Sequence, residues 1–320
     1  MRTQWGSATD RGAVREVNED ALLAHPPVFL VADGMGGHDA GDVASRIAVE
    51  EFADLAGRGA TPDDVHACFL RAAHRIRTEF TGGRQGGTTV AGVVLTHDGG
   101  RPLWLVLNVG DSRVYRVTAD GLVQVSVDHS VVGELVAAGG LDAAGARTHP
   151  DRHVLTRVLG STEVVEPDYW LLPAAEGDRL LVCSDGLTRE LHDEDVAALL
   201  AHPDPQAAAA ALVDAAVGRG ARDNVTTVVV DAVPAGRTAT GVLVGSVGAA
   251  RAGTGPVVGP AGPGVPPADG WDDARDGVTV PRTPRPRPSL EPGAVARPDV
   301  VPSSPPVPTV PPVPPPGGAA

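Results

Sequence analysis

The sequence predicts an α+β fold: two antiparallel sheets packed face to face and flanked by helix pairs, a four-layer α-β-β-α sandwich, followed by a disordered C-terminal tail. Three observations carry that prediction. Apolar, strand-like runs cluster between residues 88 and 127 and recur at 169–184 and 225–230. Two helical patterns precede that cluster and two follow it. Proline changes abruptly along the chain, with 21 of the 30 prolines in residues 234–320.

Met1-Arg2-Thr3-Gln4 leads straight into a polar strand. Val28-Phe29-Leu30-Val31-Ala32 is short and wholly apolar, so it reads as a buried strand. A helix is expected from about Gly41 to Ala56, with Val43, Ile47, Phe52 and Leu55 on roughly one face. Another runs from about Pro62 to Phe80, with Thr61 as its cap and Pro62 at the first helical position. Strands follow at Thr88–Thr96, Leu103–Val109, Arg113–Thr118 and Val123–Val127, with Asp98-Gly99 and Asp120-Gly121 as hairpin turns. After a loop-rich stretch come strands Tyr169–Leu172 and Arg179–Ser184. Helices at about Asp193–Ala201 and Gln206–Gly218 precede a closing strand, Val225–Val230. These elements place a domain in residues 1–233. Residues 234–320 have no sustained apolar period and carry proline-rich runs such as Pro281-Arg282-Thr283-Pro284, which suit a groove that binds polyproline helices.

The chain has 320 residues, a net charge of −14 and no lysine. Residues 1–233 hold 19 arginines against 34 acids, a charge of −15, so the acidity belongs to the predicted domain. That balance argues against a nucleic-acid partner, whose phosphates need basic surfaces. No run is long and apolar enough to span a membrane, and the first residues show no signal-peptide pattern. Cys68 and Cys183 lie in apolar surroundings without metal-ligand spacing, so a reducing cytoplasm is the expected location.

Glu19, Asp33, Asp111, Asp185 and Asp223 are spread over about two hundred residues, yet each sits at or beside a predicted strand. Asp-Gly alone is weak evidence of a site, since it occurs six times. Asp33 and Asp185 differ because each ends a buried apolar run, which presents the carboxylate at a sheet edge. The glycine that follows lets the backbone approach a ligand and offer its carbonyl. Taken singly, Asp111 reads equally as a turn, Asp223-Asn224 as an Asx turn, and Arg15 as a surface partner of Glu16 or Glu19. Taken together, acids that converge in low dielectric repel one another, and hard divalent cations such as Mg²⁺ or Mn²⁺ are the usual remedy. Arg15 offers a bidentate fork suited to phosphate. His38, His129, His149 and His153 fall in loops and read as structural or surface groups.

The set resembles the metal-dependent protein phosphatase family, type 2C, in its bacterial form. The resemblance covers about residues 3–233. It rests on Thr9-Asp10-Arg11-Gly12 with Val14-Arg15 and Asn18-Glu19-Asp20, on Asp33-Gly34-Met35-Gly36-Gly37-His38, on Gly110-Asp111-Ser112, on Ser184-Asp185-Gly186 and on Asp223-Asn224. Asp128-His129-Ser130 through Leu159-Gly160 resembles the family's flap. The resemblance implies hydrolysis of phosphoserine and phosphothreonine in proteins by a hydroxide bridging two metal ions. Asp33 would bridge the ions and the Gly34 carbonyl would serve one of them. Glu19 would hold one metal with Asp20 behind it, and Asp185 and Asp223 would hold the other. Asp111 with Asp185 would hold a weaker third ion, and Arg15 would bind the substrate phosphate. Phosphorylated proteins, and Ser/Thr kinases that act on them, are the implied partners. Two departures stand out. Met35 occupies the place of a general-acid histidine in eukaryotic members, and Arg189 that of an acid found in some of them. A second reading from another class is an inactive, phosphatase-like scaffold that works through its proline-rich tail. Intact acids at every implied metal position argue against it.

Overall fold

The structure, a computed structural model, describes residues 1–36, 40–80, 85–160 and 166–234. The expected tail from residue 235 onward, and His38, lie outside the described residues. The elements run in the order β1 (Arg2–Asp10), β2 (Asp20–His25), β3 (Val28–Met35), α1 (Ala40–Ala53), α2 (Pro62–Glu79), β4 (Gly87–Thr88), β5 (Val90–Asp98), β6 (Arg101–Val109), β7 (Arg113–Thr118) and β8 (Gly121–Gln124). They continue with α3 (Val131–Ala137), α4 (Ala143–Thr148), β9 (Asp168–Pro173), β10 (Arg179–Cys183), α5 (Asp185–Glu190), α6 (Asp193–Leu200), α7 (Pro205–Gly218) and β11 (Val225–Val233).

Two sheets result. One is five-stranded, in the order β1-β11-β10-β7-β8; the other is six-stranded, β2-β3-β5-β6-β9, with β4 against β3. Every strand pairing is antiparallel, as expected. The alternation of side chains along each strand builds the four layers. In β3, Phe29 and Val31 point into the core between the sheets, where they meet Val114, Leu180, Val182 and Val228. Val28, Leu30 and Ala32 point the other way, onto Ile47 and Phe52 of α1 and Phe69 and Ile76 of α2. In β10, Leu180 and Val182 face between the sheets while Leu181 and Cys183 pack under Leu187, Val196, Leu200 and Leu212 of α5–α7. A strand buried on both faces has to be apolar throughout, and each large side chain so buried contributes about 1.5–3 kcal/mol. One buried polar pin crosses the layers: the Trp104 indole N–H donates to Asp178 Oδ2 at 3.0 Å, and Arg116 reaches Asp178 Oδ1 at 2.6 Å.

The helix at Pro62 begins as its sequence implies. Thr61 Oγ1 accepts from the Asp64 N–H, and Asp64 Oδ2 accepts from the Thr61 N–H, closing a capping box. Several expectations are corrected. The β5–β6 turn is Gly99-Gly100, both with positive φ, so it sits one residue past Asp98-Gly99. The strand expected at Val123–Val127 lies earlier, at Gly121–Gln124, because Gly121 pairs with Thr118 across a two-residue turn. The stretch read as loop-rich contains α3 and α4. Asp185 does not end a strand. It opens the short helix α5.

Candidate active site

All the predicted acids gather at one end of the sandwich. Asp20 of β2 sits directly opposite Asp33 of β3, and Glu19 just precedes β2. Asp185 follows β10 and Asp223 precedes β11, two strands that neighbour each other through Cys183↔Thr227. Asp111 lies in the turn between β6 and β7. Burial pushes the Asp33 carboxyl well above the usual carboxylate range, and Asp20, Asp185, Asp223 and Asp111 push it further. Burial does the same to Asp185, opposed by Arg189 and reinforced by Asp111 and Asp223. Asp111 is raised chiefly by burial, against the pull of Arg189. Glu19 is raised to about 7 and Asp20 to about 6, both mainly by burial.

Neutral side chains hold this end in place. The Asp33 N–H donates to Thr89 Oγ1 at 3.0 Å, and Thr89 Oγ1 lies 2.7 Å from Ser112 Oγ beside Asp111. Asp20 Oδ2 accepts from Ser184 Oγ at 2.8 Å and Thr226 Oγ1 at 2.7 Å, so β2 is tied across to the other sheet. Asn224 braces the segment that carries Arg15 and Glu19. Its Nδ2 donates to the Arg11 and Val17 carbonyls, and its Oδ1 accepts from the Glu19 N–H at 2.8 Å. Gly34 admits the start of α1: a Cβ there would stand 2.1 Å from the Gly41 carbonyl oxygen and 2.6 Å from that of Glu19. None of Thr89, Ser184, Thr226 or Asn224 is singled out by charge in the sequence. The register that sets Asp20 against Asp33 is the signal that leads to them.

Two arginines enter the cluster. Arg15 contacts both oxygens of Asp223, with Nε 3.0 Å from Oδ1 and Nη2 3.3 Å from Oδ2. Arg189, one turn along α5 from Asp185, pairs with Asp185 Oδ2 through Nη2 and with Asp223 Oδ2 through Nη1 at 2.7 Å. Among the described residues no three His, Cys, Asp or Glu side chains stand together as a ready cation cage, and these guanidinium groups occupy the acids instead. The donor set nevertheless fits a hard divalent cation. It is all oxygen, and Asp20 Oδ1 and Asp185 Oδ1 are buried with no hydrogen-bond partner.

Residues 125–160 are strapped beside this end. Thr88 and Leu159 exchange two backbone hydrogen bonds, of 3.0 and 2.9 Å. Arg113 grips Asp128 with Nε and Nη2. His129 is buried: Nδ1 accepts from the Gly110 N–H, and Nε2 lies 3.1 Å from Asp168 Oδ2. Its role is structural, as read from the sequence. His149 Nδ1 accepts from the Asp151 N–H at the surface. His153 lies within electrostatic range of Arg189, Arg152 and Asp223, and its pKa is lowered to about 4, mainly by burial.

The fold and the comparisons together define a protein phosphatase of the 2C type. A protein phosphatase 2C profile matches residues 11–215, and the chain belongs to that family. It is 35% identical over 236 residues to the serine/threonine protein phosphatase PstP of Mycobacterium tuberculosis, covering 72% of this chain and 45% of that protein. It therefore spans about half the length of the first curated relatives it matches. It is also 32% identical over 250 residues to the serine/threonine phosphatase stp of Listeria monocytogenes, covering 72% of this chain and 98% of that protein. Among solved structures, M. tuberculosis PstP/Ppp superposes with a TM-score of 0.68 at 32% identity, covering 72% of this chain and 99% of that one. The catalytic domain of PstP in complex with two manganese ions superposes with a TM-score of 0.62, also at 32% identity and covering 72% and 99%.

Proposed function

We propose that this chain is a protein-serine/threonine phosphatase that hydrolyses phosphoserine and phosphothreonine in proteins with the help of bound Mn²⁺ or Mg²⁺. The observation that carries the reading is the approach of Asp20, Asp33, Asp111, Asp185 and Asp223 to one another at one end of the sandwich, with two buried carboxylate oxygens left unpartnered. Acids that repel one another invite cations, and their pairing with two arginines leaves them under-neutralised. The two manganese ions in the PstP complex support the same reading.

Glu19, Asp33 and the Gly34 carbonyl would hold one ion, and Asp33, Asp185 and Asp223 the other. Asp111 stands where it could share a weaker third with Asp185. Such ions, when bound, supply hydroxide at neutral pH and neutralise phosphate charge. The chain's own residues do the rest. Asp20 takes no substrate; it locks β2 to Ser184 and Thr226 and so fixes the height of Glu19 and Asp33. Arg15, held at the rim by Asp223, is the fork that would receive the phosphate oxygens. Met35 has no proton to donate, so the leaving oxygen takes its proton from water or another group.

Phosphoproteins made by Ser/Thr kinases are the substrate class, the cytoplasm is the site of action, and residues 1–233 are the catalytic domain. Residues 234–320 would serve as a polyproline ligand. No described helix is long and apolar enough to cross a membrane. An inactive scaffold is the weaker reading, because every acid implied by the family pattern is present and gathered.

The test is hydrolysis of phosphoserine and phosphothreonine peptides by the purified chain, with Mn²⁺ and then with excess chelator. Turnover should need the metal; full activity in chelator would overturn the reading. A chain cut after Pro234 should keep its turnover and melting temperature, and failure to fold would move the domain boundary.

A further inference from the structure

Arg189 is the most telling side chain the family pattern leaves without a task. Its guanidinium bridges Asp185 and Asp223, which come from the start of α5 and from two residues before β11. Helical spacing puts it there: Arg189 lies four residues after Asp185, so its side chain folds back along the helix onto the acid. The arginine is the strongest positive influence on both Asp111 and Asp185. Its side chain keeps 29% of its surface exposed, so it has solvent to move into. Asp185 turns only Oδ2 to Arg189, while Oδ1 is buried without a partner.

We propose that Arg189 is a resident counter-cation of the Asp185–Asp223 corner, and that a divalent ion enters by displacing it. The inference rests on the reading of Asp185 and Asp223 as cation ligands. A guanidinium and a metal ion cannot occupy the same carboxylate oxygens. The observed affinity for the ion at this corner is therefore its intrinsic affinity reduced by the population in which Arg189 sits on the acids. The arrangement gives the metal-free fold a way to tolerate the acids and weakens metal retention at that corner.

The experiment compares the full-length chain with Arg189→Gln and Arg189→Lys by calorimetric titration with Mn²⁺ after chelator treatment. Melting temperatures are recorded without and with the metal. Arg189→Gln should bind Mn²⁺ about tenfold tighter, a change of about 1.4 kcal/mol, and melt at a lower temperature without metal. Its gain in melting temperature on adding Mn²⁺ should be larger than wild type's. Arg189→Lys keeps the charge and should fall between the two. In wild type, an arginine-selective dicarbonyl reagent should label the Arg189 peptide faster with Mn²⁺ than without. Wild type that binds Mn²⁺ while Arg189→Gln binds no tighter, with labelling unchanged by metal, overturns this inference alone. A wild type that binds no Mn²⁺ overturns both it and the proposed function.

Discussion

Acid and arginine meet twice in this molecule, with opposite outcomes. On the outer face of the helical layer, Glu51 of α1 receives Arg71 at 2.7 Å on one oxygen and Arg75 at 2.7 Å on the other. Glu50 and Asp54 share the same two arginines at their edges, and Glu51 titrates below its ordinary value because its two arginines together outweigh its burial. At the end of the sandwich, Asp20, Asp33, Asp111, Asp185, Asp223 and Glu19 share Arg15 and Arg189. There burial and mutual repulsion raise every one of these acids for which a shift is resolved. Both regions use the same chemistry. The first has two arginines for three acids, with both guanidinium groups on the buried one, and serves the fold. The second is short of positive charge, and that shortage is what a divalent ion would fill.

The largest expected effect comes from breaking the unbalanced region at its centre. Asp33→Asn should lower turnover at least about a hundredfold, the scale seen when a key electrostatic group is removed. It should also raise the melting temperature of the metal-free protein, because the cost of burying that carboxyl among other acids is gone. A purified Asp33→Asn variant with near-normal turnover in saturating Mn²⁺ would refute the assignment. Arg15→Ala should act mainly on KM and less on kcat, since a phosphate fork binds the ground state as well as the transition state. An unchanged KM would leave Arg15 as a partner of Asp223 and nothing more.

Asn224→Ala tests the bracing rather than the charge. Asn224 is buried, and its amide serves two carbonyls and the Glu19 N–H. Removing it should cost about 1–3 kcal/mol of stability by leaving those groups without their partner. It should weaken metal binding more than Glu51→Gln does. Equal, negligible losses in both variants by chemical denaturation would show that the Arg11–Glu19 segment is held by other contacts.

Much of this was legible in the sequence. The strands whose residues are largely apolar on both faces, β3, β5, β6, β10 and β11, are readable because dry packing demands apolar runs, here mostly of Val, Leu and Ala. The helix at Pro62 was readable from its cap. β2 was missed. Asp20-Ala21-Leu22-Leu23-Ala24-His25 follows a charged loop, and only its pairing with β3 makes it a strand. α5 was missed because Ser184-Asp185-Gly186 reads as a turn. Gly186 is needed there, since a Cβ would stand 2.0 Å from the Asn224 carbonyl oxygen. Without that helix the contact of Arg189 with Asp185 is not legible, since their i, i+4 relation exists only on a helix. The acids announced themselves through charge at strand edges, whereas the hydroxyls and the amide that hold them carry no such mark.

The smallest expected effect concerns pH, and it separates the two regions by sign. In the metal-free fold Glu19 keeps its proton up to about pH 7 and Asp20 up to about pH 6, while the unfolded chain loses them near 4.5 and 3.8. Between those values the unfolded state binds fewer protons, so stability should fall as pH rises from about 4 to 7. Glu51 works the other way. Its folded pKa is depressed, so its contribution is present above about 4.5 and is lost as pH falls below that value. The arginines that serve it are nearly half exposed, at 46% and 45%, so solvent screens the pair and its worth is about 1 kcal/mol or less. Melting temperatures in chelator should therefore drop modestly from pH 5 to 7 in wild type, and the drop should shrink in Asp20→Asn. Glu51→Gln should leave that slope alone and flatten only the limb below pH 4.5. With Mn²⁺ present the wild-type slope above pH 5 should reverse, because the metal binds the ionised acids. A slope that ignores both the metal and Asp20→Asn would mean that the acidic end is neutralised by its arginines as completely as Glu51 is by its own.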